Sequence, residues 1–376
     1  MNNLVIIGPT HHNTYSMVRC FGENGIKPDV ILYGKTDSYI LQSLFVNKGH
    51  VVDEAVEAIK KLEQCYQEAV VIACADDIAS LMDLRYDELT ERYHFFNCGS
   101  TGKLTQYMDK SVQAIIATEV GFKVPESLDV KSNDLLEKEL PYPCIIKPLE
   151  SIHGGKNIQI CRTKEDLPLA IANFNPKERL LVQEFVEKDF EIVVVGLSFA
   201  DRVEIPAYIH KHRDTKGGTT YSTVMSIETL LPAVLKSCKS LISKMNYQGL
   251  FGVELINKGN EYYFVEVNLR NDATTYAIAV AGCNLPLAYW KLCNSEKAAD
   301  ILNAPINSIH AMVEFNDFAH VVKGHVSLSL WNKQRKEAEC RYNYSSADID
   351  AYKIQRVNFA KSFLKIVYMH IFKRFY

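Results

Sequence analysis

A chain of 376 residues is too long for one ordinary hydrophobic core, so two or three domains or subdomains are expected. With 47% hydrophobic residues, 23% charged residues and a net charge of −3 at pH 7, it reads as an ordinary soluble globular protein, without the basic field that nucleic acid binding needs. Ten cysteines without a C-x-x-C pair, several of them within apolar runs (Cys74, Cys144, Cys161), suit a reducing cytoplasmic setting; no secretory leader and no apolar run near the ~20 residues that span a bilayer is visible.

The opening Leu4-Val-Ile-Ile-Gly8 predicts a buried parallel strand, followed by a helix from Ser16 to near Gly25. Further strands are expected at Asp29-Val-Ile-Leu-Tyr33 and at Ala69-Val-Val-Ile-Ala-Cys-Ala75, the latter running into Asp76-Asp77 and a helix. Together these form an open α/β unit over residues 1–100. Its first turn holds only Gly8 and lacks the G-x-G-x-x-G spacing that admits a pyrophosphate, so a dinucleotide site is not expected. His11 and His12 follow the strand's carboxyl end, where ligands often bind in such sheets; a solvated loop is the other reading.

After Gly99-Ser-Thr-Gly102, the stretch from Tyr107 through Lys110 to Ala117 predicts an amphipathic helix leading to Gly121-Phe-Lys-Val-Pro125 at a boundary. Next comes Pro143-Cys-Ile-Ile-Lys147-Pro148, a short apolar strand ending in a lysine, and then Gly154-Gly155-Lys156-Asn157. Glycine-rich loops offer backbone N–H groups to phosphate oxygens, although this one would equally serve as a hairpin turn. The strand from Arg179 through Glu184-Phe185-Val186 passes by Glu187-Lys-Asp into Phe190-Glu191 and an apolar run to Gly196. Such a connection can hold an adenine edge by its backbone while a carboxylate takes the ribose hydroxyls, or it is an acidic turn between two strands.

Gly252 to Asn257 and Tyr262 to Asn268 both alternate and flank a Lys258-Gly259-Asn260 turn signal, which predicts a hairpin. Period-two alternation puts Phe264, Glu266 and Asn268 on one face and Val265, Val267 and Leu269 on the other, joined there by Val253 and Leu255. A three-residue loop of Gly259, Asn260 and Glu261 would set Glu254 opposite Glu266; a two-residue loop would set it opposite Val265. Opposed carboxylates repel unless a cation lies between them, so Glu254, Glu266 and Asn268 are candidate ligands for Mg²⁺, with Mn²⁺ as a substitute. A half-exposed hairpin with a polar outer face is the alternative.

Taken in order, Lys110, Ile-Ile-Lys147-Pro, Gly-Gly-Lys-Asn, Val-Gln-Glu-Phe-Val, Glu254 and Glu266-Val-Asn-Leu-Arg270 resemble the ATP-grasp superfamily over roughly residues 1–300. Within it the chain looks most like carboxylate–amine ligases of the D-aspartate ligase kind, through Asp76-Asp77 and the Met-Asp-Lys-Ser helix before Gly-Phe-Lys-Val-Pro. The resemblance implies an α/β fold in which an open parallel domain (1–100) precedes two α+β subdomains (101–186 and 187–305) that clamp ATP, with an extension over 306–376. It implies that Lys110, Lys147, Gly154, Gly155 and Lys156 hold ATP phosphates, that Glu184, Phe185 and Val186 contact adenine, and that Glu191 binds ribose. Glu254, Glu266 and Asn268 would hold Mg²⁺, and Arg270 would steady an acyl phosphate or substrate carboxylate. Lys211, in the polar segment His210-Lys-His-Arg213 before Lys216-Gly-Gly, would face the acceptor or phosphate side, unless that segment is a solvated loop. The implied chemistry is amide formation through an acyl phosphate, in cell-wall or surface-polysaccharide synthesis; a catalytically silent ATP-binding sensor or scaffold is the competing reading. The run Gly249-Leu-Phe-Gly-Val-Glu254 lacks the arginine that many peptide-forming members carry before the first metal carboxylate, so carboxylate recognition falls to Arg270, Arg213 or a residue elsewhere.

Residues 353–376 contain six Lys or Arg and no acid, with Ile354, Val357, Phe363, Leu364 and Val367 at helical spacing. A basic amphipathic helix is expected, lying on an anionic membrane surface or packed on the protein or a partner subunit, as in a homodimer. Small-molecule carboxylates and amines, not nucleic acid, are the expected partners.

Overall fold

In the computed structural model, which describes residues 3–34, 39–137, 139–148, 158–215 and 218–372, the chain builds three sheets in sequence order. The first is parallel throughout. Strands β1 (Asn3–Pro9), β2 (Asp29–Tyr33), β3 (Gly49–Val52), β4 (Ala69–Ala73) and β5 (Tyr93–His94) lie in the order β3-β2-β1-β4-β5. Continuous Val, Ile and Leu in β1, β2 and β4 dictate this placement, since a strand covered on both faces has no polar side to show; Val5, Ile6 and Ile7 are fully buried. The next helix starts at His12 rather than Ser16 and ends at Gly22. His11 sets that start by accepting the Asn13 N–H on Nδ1 at 3.2 Å. The two histidines are therefore not a solvated loop, and His12 is 7% exposed.

The second sheet is small and antiparallel. Strands β6 (Ser127–Lys131), β7 (Cys144–Pro148), β8 (Gln159–Cys161) and β9 (Arg179–Glu184) lie in the order β6-β9-β7-β8 around a core of their own, which includes Val130, Cys144, Ile146, Cys161, Leu180 and Val182. It carries Lys147 at the end of β7, opposite Leu181.

The third sheet contains β10 (Phe190–Phe199), β11 (Arg202–Thr215), β12 (Gly218–Ser226), β13 (Gly249–Lys258), β14 (Glu261–Asn268), β15 (Ile309–Met312) and β16 (Cys340–Arg341), in the order β14-β13-β10-β11-β12-β15-β16. Its pairs are antiparallel except β15 with β16. One buried cluster runs from this sheet into the first, so the two share a core. Residues beyond 305 are less separate than their sequence suggests, because β15 and β16 extend the same sheet. The buried Asp348 carboxylate also accepts from Tyr15 Oη at 2.8 Å, Ser43 Oγ at 2.5 Å and the Leu44 N–H at 3.1 Å, fastening the C-terminal stretch to the first domain. A final helix runs from Ile349 to Phe372.

Candidate active site

The β13–β14 hairpin does set Glu254 opposite Glu266, but by a different route from a three-residue loop. Lys258 pairs with Glu261, so the turn holds only Gly259 and Asn260, and Leu255 pairs with Phe264. Val265 is then an extra residue on β14, a β-bulge that restores the Glu254–Glu266 pairing which a two-residue loop would have lost. The bulge also corrects the assignment of faces. Phe264 lies opposite the buried Leu255 and is itself 1% exposed, so it belongs to the apolar face with Val253 and Val267, and Val265 is only half-buried.

Ammonium groups stand beside the carboxylates of this hairpin. Lys110 Nζ is 2.9 Å from Glu266 Oε2, and Lys211 Nζ is 2.7 Å from Glu254 Oε2 and 3.3 Å from Glu191 Oε2. Lys110 opens the helix Lys110–Glu119, whose N-cap Asp109 accepts from the Ser111 and Val112 N–H groups. Burial, with the Glu266 and Asp272 carboxylates, pushes Glu254 up against the pull of Lys211. Burial works in the same sense on Glu266, but Lys110, Lys147 and Arg270 outweigh it and hold that carboxyl below its usual range. Lys147 bonds Gln183 Oε1 at 3.1 Å, and burial, then the nearby Lys110 charge, lowers its pKa to about 8.

Asn268 Nδ2 faces Glu254 Oε1 at 3.5 Å and Asp272 Oδ2 at 3.4 Å, while its Oδ1 accepts from Arg270 Nη2 at 3.2 Å. Arg270 also donates to Asp76 Oδ1 at 2.7 Å and to the Asn271 carbonyl at 3.0 Å, joining the hairpin to the carboxyl edge of the first sheet. There burial, then the Arg270 charge, lowers His11 to about 4, which leaves it neutral at pH 7. Oxygen ligands are thus gathered, but the ammonium groups are among them. Among the described residues no group of three or more His, Cys, Asp or Glu stands ready to enclose a metal ion.

The segment His210–Arg213 lies within β11 and is not a loop; alternation sends Lys211 to the carboxylate face and His210 to the other, beside Phe190 with ring centroids 4.6 Å apart. Arg213 is committed to Asp317 through two bonds of 3.0 and 2.8 Å. Lys188–Glu191 and His210–Asp214 border a cavity of about 330 Å³. At the proposed adenine connection the Glu184 N–H bonds Glu126 O at 2.8 Å and the Phe185 N–H bonds Pro143 O at 2.9 Å, so neither donor is open to a base, and Val186 is 6% exposed. Gly154, Gly155, Lys156 and Lys216 lie outside the described residues.

Two site residues were not visible as such in the sequence. Asp272, 6% exposed, is held by the Thr274 N–H and hydroxyl, and packs so close to Gly252 that a Cβ there would sit 3.0 Å from it. Gln113, 3% exposed, donates to Val267 O at 2.9 Å and accepts from Val267 N at 2.9 Å, pinning the Lys110 helix onto the edge strand β14 between Glu266 and Asn268.

Residues 115–285 match the ATP-grasp domain model. A formate-dependent phosphoribosylglycinamide formyltransferase from Wolinella succinogenes is 30% identical over 171 residues, 43% of each chain, and a D-aspartate ligase from Enterococcus faecium is 24% identical over 247 residues, 57% of this chain and 56% of that one. This chain therefore aligns with less than half the length of the formyltransferase. Among solved structures, N5-carboxyaminoimidazole synthetase from Staphylococcus aureus superposes with a TM-score of 0.65 at 14% identity over 86% of this chain and 85% of that one. An L-amino acid ligase from Bacillus licheniformis superposes with a TM-score of 0.62 at 13% identity, covering 83% and 80%. Residues 115–285 of the chain thus carry an ATP-grasp domain, behind an open parallel α/β domain.

Proposed function

We propose that this protein is an ATP- and Mg²⁺-dependent ligase that joins a carboxylate to an amine through an acyl phosphate. The observation that carries the reading is the pairing of Lys110 with Glu266 and of Lys211 with Glu254 on the face where Glu254 and Glu266 oppose each other. Such ammonium–carboxylate pairs are ready to exchange partners: the carboxylates to a divalent cation, the lysines to phosphate oxygens. Glu254, Glu266 and Asn268 would hold Mg²⁺, which when bound neutralises phosphate charge. Phosphoryl transfer requires positioning and charge neutralisation more than a protein nucleophile. Lys110 and Lys147, from either side of the cleft, would orient the phosphates, and Glu191 would take the ribose.

Lys211 would leave Glu254 and face the reacting carboxylate or its phosphorylated form, and Arg270, anchored by Asp76, would steady the same anion. A carboxylate is a poor acyl donor until one oxygen becomes a leaving group; phosphorylation makes it one, and the amine then displaces phosphate. The relatives' names include a formate-dependent enzyme and a ligase of aspartate, both of whose substrates bear a carboxylate, which supports that substrate class. A place in cell-wall or surface-polysaccharide synthesis belongs to the same proposal. The final helix, with the basic composition of 353–376, would bring the enzyme to an anionic membrane surface; no described helix is long and apolar enough to cross one.

The test is ADP release with MgATP over a panel of small carboxylates, with hydroxylamine as trap. A hydroxamate formed from one carboxylate supports the reading. ATP binding with no hydroxamate from any of them would instead leave a nucleotide-binding module without ligase chemistry. Vesicle flotation with and without residues 353–376 checks the membrane contact, and equal flotation sinks it.

A further inference from the structure

The C-terminal helices line a second cavity, half open and of about 340 Å³, remote in sequence from the residues proposed for the ATP site. Its walls come from the helices Glu314–Val322, Leu328–Glu337 and Ile349–Phe372. Aromatic rings dominate: Phe315 stacks on Phe359 at 4.9 Å and on Tyr352 at 6.0 Å, and Phe318 meets Trp331 edge-on at 5.1 Å. Two cations stand among them, Arg335 with its guanidinium 5.5 Å from the Trp331 ring and Arg356 5.8 Å from the Tyr352 ring.

Three observations point to a ligand. Trp331 is 9% exposed, and its indole Nε1 and the buried Nε of Arg335 have no hydrogen-bond partner among the described residues. Buried donors left unpaired are costly, so such groups normally mark a missing partner. The carboxylates that might neutralise the arginines are engaged elsewhere: Glu314 with Arg341 at 2.7 Å and the Asn343 N–H at 3.0 Å, Asp350 with Lys353 at 2.8 Å. The volume is also that of a small-molecule pocket and too small for a helix.

We propose that this cavity binds a small planar aromatic anion, its ring against the cluster of Phe315, Phe318 and Phe359 side chains and its acid group on Arg335 and Arg356, within reach of the Trp331 N–H. Aromatic walls give ring-sized burial, and a guanidinium offers a carboxylate or phosphate paired donors. The inference stands apart from the ligase reading, because it concerns binding alone.

The probe is 1-naphthoate, titrated into the full chain by calorimetry, with 1-naphthylmethanol as the uncharged control. One saturable site is expected, with the alcohol about tenfold weaker and Arg335→Gln and Arg356→Gln each weakening naphthoate about five- to tenfold. Naphthoate should also change the tryptophan fluorescence, and less so in Phe318→Ala. Thermal melts confirm that each variant is folded. Equal affinity for acid and alcohol, or unchanged affinity in both arginine variants, would overturn the proposal. So would an absence of saturable binding at millimolar naphthoate, and self-association of the chain in its place would make the cavity an interface between copies.

Discussion

Lys147 shows how burial sets the working range of a single charge. Its pKa is pushed down to about 8 by burial and by Lys110, so the ammonium is present at pH 7 and is lost as the pH rises through 8. If it holds a phosphate, nucleotide affinity should fall above pH 8 by up to about tenfold per pH unit until the bound-state pKa is reached. Nucleotide titrations from pH 7 to 9.5 check this, and a flat profile would remove Lys147 from the phosphate site; Lys147→Arg should abolish the fall. Asp272 makes a second case. It faces Asn268 without being among the expected ligands, so Asp272→Asn should weaken Mg²⁺ binding about 10- to 100-fold, the usual cost of losing an orienting partner. Mg²⁺ titration of ADP release reads this directly. Glu254, Glu266 and Lys147 could be singled out in the sequence because alternation and strand ends place them. Asp272 could not, because what makes it a site residue is its approach to Gly252 from the segment that follows β14.

At the scale of elements, the hairpin and the Lys110 helix depend on each other. Gln113 satisfies both backbone groups of Val267 on an edge strand, and its Nε2 also reaches Tyr107 O at 2.9 Å. Gln113→Leu should leave those buried groups unpaired, costing about 2–4 kcal/mol in urea denaturation and lowering Mg²⁺ affinity with it. A loss under about 0.5 kcal/mol would mean that water replaces the amide, and would remove Gln113 as the pin. The strands themselves were legible: apolar runs for the parallel sheet, alternation for the hairpin. The bulge at Val265 was not, since an extra residue leaves no mark in a pattern of alternating side chains. It misplaced Phe264 while leaving the carboxylates where the wrong loop length had put them. The partner of Gln113 was equally hidden, lying 154 residues away.

On the scale of the whole molecule, the open parallel first domain and its clasp by Asp348 differ in how they can be read. Val- and Ile-rich strands announce the domain; a lone aspartate near residue 350 announces nothing, because its three donors lie more than 300 residues earlier. Asp348→Ala should leave the Tyr15 and Ser43 hydroxyls and the Leu44 N–H without an acceptor. A loss of about 2–4 kcal/mol and a lower midpoint in thermal unfolding are expected. The clasp also imposes an order in time. Strands of the first sheet are complete by His94, yet the carboxylate that Tyr15 and Ser43 await is made some 250 residues later. At 5–20 residues per second, a ribosome leaves the young domain unclasped for roughly ten to fifty seconds. Chaperones and proteases meet the first domain without its clasp throughout that interval, so a stop codon ahead of Asp348 should be read by the cell as misfolding even though every residue proposed for the ATP site has already been made.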